Sequence, residues 1–331
     1  MMDSTYLINY LIFAAFLTLF ALEIGVATLS LMSVEDYRAK LASYITPIWE
    51  VNGTFIVFYL VNFEVSYPSL LYMAGTIYIT IALLGGLILI LRNSFLAYSE
   101  YISGDMGRRF LRIYAVSTIV VAFLALSILS SSVSGIGINP ETVSINILAA
   151  IFNPFNILMF VSVALITLFV SSNAFNIARI KRYSAALLLL ALAIVYLILR
   201  EYVPYTLSGA LGAPMLAFYV FTAIVAGLSI TSFKFTGYIS IAWFFIAVVM
   251  FGILEYPFIF GGKVNITQYL TTSTMAGAAL PITVIGGLMV IASLAYLIYI
   301  NYAGGRRRAY GSRARRDSRR QKIEYMKLTR H

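Results

Sequence analysis

The chain has 331 residues, of which 61% are hydrophobic and only 11% are charged, and its formal net charge is +10. Soluble domains carry about 25% charged residues, so a chain this poor in charge cannot cover a surface that faces water. The composition therefore excludes a soluble globular protein and predicts an all-α integral membrane protein.

The sequence offers few side chains that bind metals. It has no cysteine, and its single histidine is the last residue, His331. Haem and transition-metal sites usually need His, Cys or Met as ligands, and iron–sulfur clusters need cysteine. The 11 methionines remain, but Met more often fills gaps in apolar packing. We therefore expect no cofactor and no metal in this chain by itself, and no hydrolytic site built on a histidine base.

Apolar stretches long enough to cross a bilayer recur along the chain. A span needs about 20 mostly apolar residues. About nine stretches qualify in chain order: 5–31, 51–67, 69–95, 111–132, 146–172, 184–203, 213–232, 236–254 and 275–302. Pro68, which lacks an amide donor, divides the second stretch from the third. We expect a polytopic transmembrane domain over residues 1–303, arranged as two four-helix bundles plus one peripheral helix, and a basic cytoplasmic tail over residues 304–331.

Basic residues fall almost entirely on one side of this arrangement. If the N-terminus lies outside, every Lys and Arg except Arg200 and Lys263 lies in an inner connection or in the tail. Cytoplasmic loops of membrane proteins carry an excess of Lys and Arg of this kind. The tail favours contact with anionic membrane lipid. It does not favour nucleic acid, because it lacks aromatic residues at a regular spacing. The sequence thus predicts a multi-pass protein of the cell membrane with a cytoplasmic C-terminus.

Three carboxylates in the apolar stretches need a physical reason, because an ionisable group at mid-helix costs roughly 2.5–3.5 kcal/mol. Glu23 lies in the first stretch, with no Lys or Arg within one turn on its own helix. It is either a hydrogen-bonded structural acid or a station on a proton path. Glu64 lies toward the outer end of the second stretch, where reaching the outer interface would explain it.

Glu50, in "TPIWEVNGTF", opens the second stretch. The helix macrodipole favours an acid in the first turn, and Trp49 is typical of a membrane interface. Asn52 follows inside the apolar region, where an amide must find a partner on another helix. Because the first stretch descends and the second ascends, Glu23 and Glu50 both lie toward the inner face. Two carboxylates there would form a proton entry.

These motifs resemble subunit II of the cytochrome bd quinol oxidases. In "ALEIGVA", Glu23 stands at the acidic position of the family's first helix. The family's block at the start of the second helix resembles Pro47, Trp49, Glu50 and Asn52, with Pro68 following. Further matching positions are Arg92 at the end of the third helix, Asn153, Pro154 and Phe155 in "FNPFNIL", and Tyr256, Pro257 and Phe258 before the last outer loop.

The chain departs from the family pattern at several positions. Phe20 stands where the family has an earlier Asp, and Glu replaces Asp at positions 23 and 50. The second helix also introduces Glu64. The family's proton route therefore cannot be copied onto this chain unchanged.

The resemblance implies a haem-free subunit II of a quinol:oxygen oxidoreductase, which is an enzyme only as part of the complex. The implied partner is subunit I, which bears haem b and haem d, and quinol is the implied substrate of the complex. Whether quinone touches this chain is left open. Two other classes also remain open: a quinone-binding membrane anchor of another respiratory redox complex, and a secondary transporter.

The resemblance and the residues together assign expected roles. Glu50 and Glu23 would carry protons, and Asn52 would orient Glu50 or a bound water. Trp49 and Arg92 would anchor helix ends at the cytoplasmic interface. The remaining motif positions are expected to be structural: Pro47, Asn153 and Pro154.

Overall fold

The computed structural model describes residues 4–32, 35–102, 105–209, 212–231, 233, 235–272, 275, 277–278, 280–289 and 292, except for the side chains at 35–47, 100, 105, 108, 208–209 and 213. The predicted basic tail, residues 304–331, lies outside this range. The helices are α1 (Ser4–Leu31), α2 (Glu35–Ser66), α3 (Pro68–Tyr101), α4 (Asp105–Ser134), α5 (Ile147–Ile151), α6 (Pro154–Ala174), α7 (Ala178–Lys181), α8 (Ser184–Tyr202), α9 (Ala213–Ile230) and α10 (Thr236–Glu255).

Short elements complete the described fold. Strands β1 (Ile138–Asn139) and β2 (Ser144–Ile145) form one antiparallel hairpin, and β3 (Phe258–Ile259) and β4 (Val264–Asn265) form another. Two 3-10 helices cover Pro204–Gly209 and Ile266–Tyr269.

Six helices in the described part of the chain are long and apolar enough to cross a membrane: Ser4–Leu31, Pro68–Ser99, Arg109–Ser134, Ile147–Ala174, Ser184–Tyr202 and Thr236–Glu255. The shorter apolar helices Pro214–Ile230 and Leu280–Met289 coincide with two further predicted stretches. The protein is thus an all-α, multi-pass membrane protein, as predicted. The count of nine spans stays a prediction.

Helix α2 begins earlier than the sequence predicts. It is continuous from Glu35 to Ser66, so Trp49 and Glu50 lie near its middle. The prediction that this block starts a helix is wrong, and a favourable macrodipole in the first turn cannot explain Glu50. The charged residues before Pro47 suggest a connection between spans, but the chain continues there as helix.

The helices pack as two groups of four. Helices α1 to α4 contact one another in one group, and α6, α8, α9 and α10 form the other. Helix α1 joins the groups because it also contacts α6 and α10. The two predicted bundles are therefore present within the compact unit that ends at Leu280.

Trp243 shows how the second group is held together. Its side chain is fully buried on α10, with its ring stacked on Phe218 of α9 at 6.1 Å and edge-on to Phe169 of α6 at 5.7 Å between centroids. The indole Nε1 donates to Thr222 Oγ1 at 2.9 Å. The ring thus packs three helices together and keeps its only donor satisfied.

The turn between β3 and β4 is hydrogen-bonded to the end of α4. The amide of Phe260 donates to the carbonyl of Ser132, and the amide of Gly261 donates to that of Val133 at 3.0 Å. Gly135 and Gly261 both have φ of +68°, and a Cβ on either would overlap the backbone of the opposite segment. Glycine is needed here for both the left-handed backbone and the close approach.

Candidate functional site: a buried polar cluster around Glu23

A buried polar cluster forms where α1, α2, α3 and α4 meet. The carboxylate of Glu23 on α1 forms an ion pair with the Arg92 guanidinium on α3, and both side chains are 2% exposed. Glu23 Oε2 accepts a hydrogen bond from Asn52 Nδ2 of α2 at 2.8 Å, and Oε1 accepts one from the Tyr114 hydroxyl of α4 at 3.2 Å. One carboxylate thus connects the four helices of the first group.

The guanidinium of Arg92 is held by several groups. Its Nε donates to Thr118 Oγ1 at 2.8 Å, its Nη2 donates to the Tyr114 hydroxyl at 3.0 Å, and its Nη1 donates to Asn93 Oδ1 at 3.2 Å. It also lies 4.8 Å from the centroid of the Tyr114 ring, within range of a cation–π interaction. These contacts satisfy the donors that burial removes from water.

The structure changes the expected surroundings of Glu23 and Arg92. Glu23 has no Lys or Arg within one turn on its own helix, and its basic partner comes from α3, which is distant in sequence. Arg92 lies inside α3, which continues to Tyr101, and is buried rather than placed at an interface.

Asn52 finds its partner on another helix, as predicted for an amide in an apolar stretch. Its side chain is buried, and its Nδ2 donates to Glu23. Its Oδ1 is also buried and has no hydrogen-bond partner among the described residues. That oxygen is available to accept a hydrogen bond from a water molecule or from a group outside this chain.

Glu50 does not join the cluster. It is exposed on α2, two residues before Asn52, and residues two apart on a helix point about 200° apart. The structure therefore places the two carboxylates on different sides of α2, with Glu23 inside the bundle and Glu50 on its surface. Glu64 is also exposed on α2, close to its last residue, Ser66.

The remaining motif residues occupy positions within helices or at their ends. Trp49 is half-buried and packs against the largest hydrophobic core cluster. Pro47 lies within α2, and its side chain is outside the described set. Asn153 caps α6 through its Oδ1, which accepts from the Asn156 amide at 2.8 Å, and Pro154 follows at the first helical position. Asn153 and Pro154 thus form a helix start.

The Glu23 cluster contains no histidine, cysteine or methionine, the side chains that most often bind haem iron. The sequence has no cysteine and only His331. Among the described residues, no three His, Cys, Asp or Glu side chains come together as a metal site would require. The Glu23 cluster has one carboxylate, and its opposing charge is a guanidinium. Its chemistry is that of a hydrogen-bonded ion pair.

Sequence reasoning missed two groups of this cluster. Tyr114 and Thr118 lie in an apolar stretch and carry no charge, so they give no signal of their own. Their spacing of one helical turn places both on the same face of α4. That spacing becomes informative only once Arg92 is known to face α4.

The comparisons with known proteins agree with this fold. Residues 2–301 match the family described as "Cytochrome bd terminal oxidase subunit II". No curated protein matches the sequence. Among solved structures, a chain of the bd oxidase from Geobacillus thermodenitrificans superposes with a TM-score of 0.68 at 21% identity, covering 90% of this chain and 98% of that one. At that identity the likeness shows the fold alone. Because the family match covers nearly the whole sequence, the chain belongs to the cytochrome bd terminal oxidase subunit II family.

Proposed function

We propose that this chain is the haem-free subunit II of a bd-type quinol oxidase in the cell membrane, with its C-terminus in the cytoplasm. In this proposal the haems and the oxygen site belong to subunit I, and this chain contributes to a proton path from the cytoplasm. Family membership supports the assignment to an oxidase complex. The observation that carries the proton path is the exposed carboxylate of Glu50 on the surface of α2.

Glu50 is the proton carrier in this proposal. An exposed carboxylate on a membrane helix is costly against lipid, so a face that carries one favours a polar neighbour over hydrocarbon. Subunit I would supply that neighbour. A carboxyl group at such a contact can take a proton from the inner side and pass it to the partner.

Glu23 and Arg92 act mainly as positioning residues. An ion-paired carboxylate exchanges protons poorly unless its base moves away. The pair instead fixes Asn52, whose Nδ2 is bound to Glu23 while its Oδ1 accepts no bond from a described residue. Asn52 can then hold a water molecule inside the bundle through that oxygen, on the opposite side of α2 from Glu50. Glu50, on the surface of α2, is the group that exchanges protons with the partner.

Replacing Glu50 tests this proposal. We expect Glu50→Gln to keep the complex assembled and to lower quinol-driven oxygen consumption by at least tenfold, because glutamine cannot carry a proton. Glu201→Gln, at another exposed position near the end of α8, is the matched control and should keep wild-type turnover. Wild-type oxygen consumption in Glu50→Gln would contradict the proposal.

A reduced-minus-oxidised visible spectrum tests the assignment of the complex. We expect haem b and haem d bands from this chain purified with its partner, and none from the chain alone. A colourless preparation that retains every co-purifying subunit would contradict an oxidase role. Iron–sulfur signals in the partner would instead favour a membrane anchor of another redox complex.

A further inference from the structure

The sequence contains two motifs of the form Asn-x-Thr, in which x is not proline: Asn52-Gly53-Thr54 and Asn265-Ile266-Thr267. Cells attach glycans to the asparagine of this motif where it lies in a surface loop on the outer side of a membrane. Because the motif is short, the surroundings of each asparagine decide whether a glycan can be attached there.

The first motif is closed to modification in the folded protein. Asn52 is buried in the Glu23 cluster, and its Nδ2 donates to the Glu23 carboxylate at 2.8 Å. The Thr54 hydroxyl does not contact Asn52 but donates to the carbonyl of Glu50, one turn back on α2, at 3.1 Å. A sugar on this Nδ2 would have to displace Glu23, so Asn52 is not an acceptor.

The second motif has the opposite arrangement. Asn265 is the last residue of β4 and caps the 3-10 helix Ile266–Tyr269. Its Oδ1 accepts from the Thr267 amide at 3.0 Å and from the Thr267 hydroxyl at 2.8 Å. Its Nδ2, the atom to which a glycan is attached, donates to no described residue. The asparagine and the hydroxyl of the motif are thus held side by side, with the nitrogen free.

The strand pattern places Asn265 on the outward face of the β3–β4 hairpin. Successive residues of a strand point to opposite faces. Val264 is 6% exposed and packs in a hydrophobic core cluster, so Asn265 lies on the other face. Phe258, its partner across the hairpin, is 40% exposed, and Thr267 is exposed as well. This face of the hairpin therefore has room for a glycan.

The hairpin lies at the end of α4 that is far from its basic residues. Its turn is bonded to the carbonyls of Ser132 and Val133, whereas the exposed Arg109 and Arg112 lie near the start of α4. The helix has 30 residues, which corresponds to roughly 45 Å and exceeds the hydrocarbon thickness of about 30 Å. Basic residues mark the cytoplasmic side, so the hairpin belongs to the outer side.

We propose that Asn265 is an N-glycosylation site and carries a glycan on the outer face of the membrane. This inference rests on the orientation in the proposed function, with the C-terminus in the cytoplasm. It does not depend on the proton path or on the oxidase reaction.

The reaction is the transfer of a sugar from a lipid-linked sugar phosphate by a membrane transferase. The bond between the anomeric carbon and the phosphate oxygen breaks, and its electron pair leaves with the lipid phosphate. Asn265 Nδ2 forms the new bond to that carbon and gives up one proton to a base of the transferase. Nothing is oxidised or reduced, and the Asn265 carbonyl group is kept.

The test is mass spectrometry of the full chain purified from its own cells with its accompanying subunits. Cleavage after Lys263 and Tyr269 releases the peptide that spans residues 264–269. We expect at least half of the chains to carry the mass of one or more sugars on Asn265. Wild-type chains in which this peptide is entirely unmodified would overturn the proposal, and this measurement needs no variant.

Variants of Thr267 test whether the motif directs the modification. Thr267→Ala removes the hydroxyl but keeps the backbone amide that Asn265 caps, and it should lower the modified fraction at least tenfold. Thr267→Ser should restore it. Thr54→Ala, in the buried motif, is the matched control and should leave the modified fraction unchanged. An equal modified fraction in wild type and Thr267→Ala would overturn the proposal.

A labelling experiment separates this proposal from the orientation on which it rests. The chain has no cysteine, so Glu141→Cys introduces a single thiol at an exposed position, between β1 and β2 after the same end of α4. A membrane-impermeant maleimide should label it in intact cells. Labelling together with an unmodified Asn265 overturns the glycosylation site and leaves the orientation standing. Absence of labelling overturns both, whereas the oxygen consumption of Glu50→Gln tests the proton path separately.

Discussion

Glu23 and Arg92 bury two opposite charges on neighbouring helices, each side chain 2% exposed. Removing ions from water costs several kcal/mol for each, and their attraction offsets this only when the remaining polar atoms are also bonded. Asn52, Tyr114 and Thr118 supply those bonds. Each charge therefore depends on its partner, and loss of either leaves the other buried and unpaired.

Arg92→Gln should destabilise the protein by about 3–5 kcal/mol, because it leaves the Glu23 carboxylate buried without its base. The measurement is the shift of the unfolding midpoint of the purified complex. Arg109→Gln is the control, because Arg109 is exposed near the start of α4. An equal midpoint in wild type and Arg92→Gln would show that the buried pair does not stabilise the fold.

The residues of this site could be predicted better than their contacts. Glu23, Asn52 and Arg92 stand out because charged and amide groups are costly in apolar stretches. Their mutual pairing depends on which helix faces meet, and a single sequence does not give that. Glu50 shows the same limit: its presence is evident, but its outward direction follows from Asn52 pointing inward.

Helices α1 and α6 approach closely at Gly25. A Cβ on Gly25 would lie 2.6 Å from Ser171 Cβ and 2.9 Å from the Thr167 carbonyl oxygen. A backbone atom cannot move aside without moving its helix. This glycine therefore sets the distance between the two helix groups close to Glu23.

Gly25→Ala should lower stability by about 1–3 kcal/mol, the usual cost of overpacking a well-packed contact. The unfolding midpoint is again the measurement. Gly227→Ala on α9 is the matched control, because no atom lies within 4 Å of its Cβ position, and Ala is better than Gly inside a helix by roughly 0.5–1 kcal/mol. A harmless Gly25→Ala would contradict the close approach of α1 and α6.

Gly261→Ala should be more damaging than Gly262→Ala. Both glycines have positive φ, which costs a residue with a Cβ about 1–2 kcal/mol. Only at Gly261 would the added Cβ also overlap backbone, since it would lie 2.9 Å from the Ser134 carbonyl carbon, whereas at Gly262 the nearest atom is 3.8 Å away. Midpoint shifts of equal size would contradict the contact between the hairpin and α4.

Most helices could be predicted from the sequence, because length and apolarity decide which segments enter a bilayer. The predicted stretch 5–31 corresponds to Ser4–Leu31, and 236–254 corresponds to Thr236–Glu255. The failure is the first half of α2. The charged residues in this half make it too polar to be recognised as a membrane span. The residues are nevertheless helical, because they continue directly into the apolar part of α2. The predicted stretch 146–172 is divided at Phe152 and Asn153 into α5 and α6.

The surface of the described part of the molecule exposes many large apolar side chains, but it is not uniform. On α2, Val57 is 61% exposed and Val61 is 53% exposed. Val57 follows Glu50 by seven positions, which is about two helical turns, so both lie on one face. The other exposed apolar residues include Val220 on α9, which is 62% exposed. Because an exposed acid is costly against hydrocarbon, this face of α2 suits a protein partner better than lipid.

In the proposed oxidase, in which subunit I packs against α2, Val57→Trp should reduce the haem recovered with the affinity-purified chain, because a large ring would obstruct that packing. Val220→Trp should leave the haem-to-protein ratio unchanged, since a large apolar side chain is well accommodated by lipid. Equal haem recovery from both variants would show that the partner binds elsewhere.

The residues that contact the two ends of α4 are synthesised at different times. The residues of the Glu23 cluster all belong to α1 to α4, so all of them are present once the chain has been synthesised as far as residue 118. The opposite end of α4 receives amide donors from Phe260 and Gly261, which emerge from the ribosome much later. A chain truncated before Phe260 would keep every residue of the Glu23 cluster and would lose the two amide donors that bind the carbonyls at the end of α4.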